Sequence, residues 1–194
     1  MRELASREYT PTLAYAAGVL FLTQFLVSTG LGEPLAAVAI HLLFIPVLVL
    51  LVMRVDAAPW ARLSGYAWAG LALLADLAVL AALVVGGNLG GALVLANLAL
   101  LPGAAWILGA SMADAGAGRA LGAAASAGMA FAALLSIADR IILAESQLLV
   151  RLVAMLTLAL SIAWFVVLGR DLARGERHWT QNTGPHAGPG APRG

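Results

Sequence analysis

Predominantly apolar runs of about 20 residues, the length a helix needs to cross roughly 30 Å of hydrocarbon, recur along the chain. They occupy residues 11–31, 35–53, 63–85, 89–109, 120–144 and 147–169. Their length and continuity read as buried or lipid-facing helix, because half-buried strands alternate apolar and polar residues over much shorter stretches. Backbone breakers fall between the runs: Gly30, Gly32 and Pro34; Pro59; Gly86, Gly87 and Asn88 with Gly90 and Gly91; then Gly116 and Gly118. The pattern predicts an all-α, polytopic transmembrane bundle of six helices over residues 11–169. A short segment, 1–10, precedes it, and a tail, 170–194, follows. That tail, whose Gly/Pro-rich end 184–194 has too little apolar area to order itself, is expected to be cytoplasmic and disordered.

Composition strengthens this reading. Of 194 residues, 62% are hydrophobic and 11% charged, and the mean hydropathy is +0.94. Soluble domains are about half apolar and about a quarter charged. Too few polar side chains are present to cover a water-exposed surface, whereas a lipid bilayer accepts Leu, Val and Ala directly. Lipid is therefore the first expected partner.

The arginines fix an expected orientation, since positively charged flanks are retained on the cytoplasmic side. Arg2, Arg7, Arg54, Arg62, Arg119, Arg170, Arg174, Arg177 and Arg193 fall on one side of the scheme, and Arg140 and Arg151 on the other. Residues 30–34 and 86–91 carry none. Both termini are thus expected in the cytoplasm of a multi-pass protein of the cell membrane, of bacterial inner-membrane type. The first run reads as a retained signal-anchor helix, being too long for a cleaved leader and lacking a small-residue cleavage site.

Several chemistries are excluded. Cysteine is absent, which removes disulfides, thiolate metal sites, iron–sulfur clusters and thiol nucleophiles. Lysine is absent too, and with it Schiff-base sites and the P-loop cation. The net charge of +1 builds no nucleic-acid footprint. One histidine, His41, lies within a span, so a haem held between paired histidines is not expected. No cofactor and no metal is called for. The chain also lacks HExxH, GxSxG and repeated DxxD signatures, which weighs against an enzyme.

The polar residues inside the runs are the candidate site. Asp76 sits near the middle of the third, where an ionised carboxylate costs several kcal/mol unless it is partnered or protonated. A group able to be either suits a proton carrier. At about 1.5 Å per residue, Gln24, His41, Asp76 and Asn97 all reach the central to outer part of the bilayer and are expected to form one polar layer. Asp139 and Arg140, with Glu145 and Arg151, would stand above it as an extracytoplasmic vestibule. There, arginine could meet an anionic group. The aromatics Trp60, Tyr66, Trp68, Tyr9, Tyr15 and Trp179 read as interfacial anchors.

Helices in lipid associate through small residues that permit close approach. Gly118, Gly122, Ser126 and Ala130 follow at spacing four in the fifth run and define its expected packing face. Pro46 and Pro102 lie within the second and fourth runs and are expected to kink them. Three readings of function follow. The first is a small transporter or channel-like protein working at a mid-membrane site around Asp76. The second is a non-catalytic subunit that binds lipid, a membrane partner or another copy of itself. The third is an intramembrane enzyme acting on a lipid or quinone at Asp139 and Arg140.

Overall fold

The computed structural model describes residues 9–27, 34–114, 117–141 and 147–174. Prolines open three of the helices, at the first turn where a missing N–H costs nothing: Pro11 in α1 (Thr10–Leu26), Pro34 in α2 (Pro34–Arg54) and Pro59 in α3 (Pro59–Val85). α3 stops at Gly86, whose φ of 64° is the left-handed value that glycine adopts freely. The Gly87 N–H there returns to the Ala82 carbonyl at 2.7 Å. The Asn88 side-chain oxygen then accepts the Gly90 N–H at 2.7 Å, turning the chain into α4 (Gly90–Ser111). α5 (Ala117–Ile141) and α6 (Gln147–Arg174) complete an all-helical bundle with no strand among the described residues.

Five helices, α2 to α6, are long and apolar enough to cross a membrane. α1 has 17 residues, a rise of about 26 Å at 1.5 Å per residue, close to the hydrocarbon thickness. α2 and α4 run on through Pro46 and Pro102. Each proline removes the donor that would have bonded the carbonyl four residues earlier, at Leu42 and Leu98. α6 continues past Gly169 through Arg170 and Asp171 to Arg174, so this charged stretch is helical.

Successive helices pack side by side, and α6 returns against α1, so the bundle closes on itself as a ring. Large apolar side chains stay exposed around its outside, among them Val19, Leu43, Leu74, Leu108, Leu134 and Leu156, one from each helix. Single exposed leucines are ordinary, but a continuous apolar exterior of this kind is stable only against lipid. The chain is an integral membrane protein with a multi-pass helical bundle.

Inside the ring the packing is uneven. At the end where α2 meets α3, aromatic rings fill the interior. Trp68 on α3 lies 6.0 Å from Trp106 on α4, which meets Trp164 on α6 edge-on at 5.5 Å and Phe165 at 6.4 Å. Phe21 on α1 and Phe44 on α2 join the same cluster through Trp68, at 6.2 and 5.5 Å. Trp68 was expected as an interfacial anchor. It is instead 2% exposed, because its position nine residues into α3 and its place beside Ala69 and Ala72 turn it inward. Trp60, Tyr66, Tyr9 and Tyr15 are exposed.

Glycines let the helix backbones come this close. A Cβ on Gly103 would stand 2.8 Å from the Trp68 ring, and one on Gly65 2.9 Å from Trp106. Gly109 abuts Ala61 and Trp60, and Gly169 abuts Tyr15. Toward the other end, where α3 turns at Gly86, burial thins out. No described residue is buried beyond Asp76 on α3, beyond Gly18 on α1, or before Thr157 on α6.

Candidate functional site

Asp76 is the last buried residue of α3 on the way to Gly86, standing where the aromatic interior gives out. It is 5% exposed and shares the inward face of α3 with Trp68, Ala72 and Ala75. Across from it, His41 projects from α2 one turn from Phe44, and its Nδ1 lies 2.9 Å from Asp76 Oδ1. The histidine side chain is 16% exposed and that of the aspartate 7%. His41 is also stacked on Phe44, with ring centroids 6.0 Å apart and planes 12° from parallel. Hydrogen bond and stacking together fix the imidazole, so the carboxylate meets a ring held in one orientation.

This contact survives a change of protonation. An ionised Asp76 accepts a proton-bearing Nδ1, and a protonated Asp76 donates to a bare Nδ1. The second carboxylate oxygen, Oδ2, is buried and has no hydrogen-bond partner among the described residues. A buried acceptor left in this way costs about 1–3 kcal/mol relative to a satisfied one.

Gln24 lies one turn beyond Phe21 on α1, and the Phe21 ring touches that of Phe44 at 5.8 Å. Gln24 and His41 therefore emerge one turn beyond two rings in contact. The Gln24 Oε1 is a second buried oxygen without a partner among the described residues. The Asn97 amide donates at 2.9 Å to the Leu93 carbonyl of its own helix. It stands two turns from Ala104, whose carbonyl faces α5. Of the four residues expected in one polar layer, His41 and Asp76 are bonded to each other.

Most of the expected vestibule lies outside the described residues. Asp139 and Arg140 occupy the last turn of α5, but their side chains lie outside the described residues, as does Glu145. Arg151 is exposed near the start of α6. On the small-residue face of α5, Gly118 and Gly122 are buried. A Cβ on Gly122 would meet Ser111 and the Trp164 nitrogen, and one on Gly118 would come within 3.3 Å of Asp114. Ser126 donates at 2.7 Å to the Ala104 carbonyl, and Ala130 is half-buried against the core. Gly122 and Ser126 are thereby covered by α4 and α6 of the same chain.

Sequence reasoning missed Phe21, Phe44 and the inward role of Trp68, which together form the floor beneath the pair. A usable signal was present: Phe21 to Gln24 and His41 to Phe44 are both separated by three residues, placing an aromatic and a polar side chain on one helix face. In comparisons with known proteins, no family model, curated protein or solved structure matches the chain.

Proposed function

We propose that the chain is a small transporter in which Asp76, oriented by His41, is a proton-exchanging site within the membrane. The observation that carries this reading is the Asp76 carboxylate itself. One oxygen is held by a fixed imidazole at 2.9 Å, and the other is buried without a partner. A carboxylate serving only to join helices would be expected to use both oxygens, since each unsatisfied polar atom in hydrocarbon is costly. Its position supports the reading further. The interior is filled by aromatic rings on one side of Asp76 and thins on the other. That asymmetry suits a site reached from one face of the membrane while the opposite path is closed.

With nine of eleven arginines on the side of the α2–α3 and α4–α5 connections, that closed side is assigned to the cytoplasm, together with both termini. A partner-binding reading through the fifth helix loses its surface, because Gly122 and Ser126 are occupied by α4 and α6.

The test is reconstitution of wild type and Asp76→Asn in liposomes holding a trapped pH-sensitive dye. Gradients of organic cations, amino acids and sugars are then imposed. Wild type should move protons in response to at least one class, and folded Asp76→Asn to none. Proton movement equal in both proteins, or absent for every class, contradicts the reading.

A further inference from the structure

We infer that the solute taken at this site is a small organic cation bearing an N–H donor, an inference that rests on the reading of Asp76 as a working site. The oxygens left without a partner, Asp76 Oδ2 and Gln24 Oε1, are both acceptors. A buried acceptor is completed by a donor and, where it belongs to a carboxylate, by a positive one. Among the described residues no such group is bonded to either oxygen. The chain has no lysine. Arg54, Arg62, Arg119, Arg170 and Arg174 cluster where α2 meets α3 and α4 meets α5, at the opposite end of the bundle from Gln24, and Arg151 is exposed on α6.

The surroundings favour an organic cation over a bare metal ion. Phe21, Phe44 and Trp68 lie in mutual contact at 5.5 to 6.2 Å, directly beneath the polar residues. Ring faces attract a positive charge through their quadrupole and also pack against hydrocarbon. A magnesium or calcium ion wants six or more oxygens. Among the described residues no group of three metal-ligating side chains exists. An ammonium group has the complementary chemistry, with N–H donors for Oδ2 and Oε1 and an apolar body for the rings. A cation and a proton would then compete for one carboxylate, so that binding of either releases the other.

Three probes sharing a benzyl or phenyl body test this: benzylammonium, benzyl alcohol and benzoate, titrated calorimetrically into the purified, detergent-solubilised full chain. Benzylammonium should bind, and release protons as it does. The alcohol should bind about tenfold more weakly or worse, because charge-assisted hydrogen bonds add roughly 1.5–3 kcal/mol, and benzoate should not bind. Asp76→Asn should lose the preference for the cation, while Asp76→Glu and Gln24→Leu, checked for an unchanged thermal melt, should retain it and weaken it respectively. Equal binding of the alcohol, undiminished cation binding in Asp76→Asn, or no binding of benzylammonium would overturn the inference. Its failure is separable from that of the transporter reading. Asp76-dependent proton flux driven by another solute class leaves transport standing and removes only the cation. Selective binding of benzylammonium without flux of any class does the reverse.

Discussion

Gly122 on α5 lies so close to Ser111 on α4 that a Cβ on the glycine would overlap the serine's own, with the Trp164 indole nitrogen 2.8 Å from the same point. Three helices meet there with no space for a methyl group. Gly122→Ala should therefore destabilise the bundle by about 1–3 kcal/mol, the usual cost of overpacking, despite the better helix propensity of alanine. Gly70, on the outer face of α3, has nothing within 4 Å of its Cβ position. Gly70→Ala should be neutral or stabilising by up to about 1 kcal/mol. Thermal melts of both variants in the same detergent check the pair, and equal effects would remove the claim that α5 is locked by close approach.

Trp106 is fully buried among Trp68, Trp164 and Phe165, and its indole nitrogen has no hydrogen-bond partner among the described residues. Its contribution is then the ring and not the polar handle. Trp106→Phe, which keeps most of the ring, should cost less than about 1.5 kcal/mol. Trp106→Ala should cost about 3–5 kcal/mol. If the two were equally damaging in a denaturation series, the indole N–H would have a role that packing does not supply.

His41 and Asp76 hold each other at 2.9 Å on adjacent helices. Replacing His41 by alanine leaves both carboxylate oxygens without a partner and should destabilise by about 1–3 kcal/mol. In the double variant with Asp76→Leu, no buried carboxylate remains, so the effects of the two changes should be strongly non-additive. A double-mutant cycle read by thermal stability measures this coupling. Additive effects would mean that the contact contributes nothing to the fold.

How much of this was legible before the structure depends on what kind of physics each feature obeys. Helix extents follow from the thickness of hydrocarbon, which imposes a run length, so α2 (Pro34–Arg54) falls within one residue at each end of the expected 35–53. The same solvent makes a mid-span carboxylate costly, and this singles out Asp76 without any coordinates. Rotation about a helix axis is not fixed by hydropathy in so apolar a chain, because lipid and the bundle interior accept the same side chains. For this reason Trp68 was expected at the interface, and Trp106 and Trp164 drew no notice. The α3 face from Trp68 through Ala72 and Ala75 to Asp76 becomes visible only when neighbours show which side they cover.

The absence of cysteine from the chain makes its membrane orientation directly testable. A single cysteine introduced as Gly87→Cys should react with a membrane-impermeant maleimide added outside intact cells. One introduced as Asp56→Cys should react only after the membrane is permeabilised. The opposite labelling pattern would invert the bundle and place the aromatic interior toward the outside.

The most direct measurement of the account is the infrared stretch of the protonated carboxyl group, followed across pH in purified wild type and in Asp76→Asn. A proton-exchanging Asp76 predicts a carboxyl band that comes and goes with pH in wild type and is missing from the variant at every pH. If no pH-dependent band can be assigned to Asp76, whether because the group stays ionised or because it stays neutral throughout, then Asp76 is a fixed structural link between α2 and α3 and the proposed function is wrong.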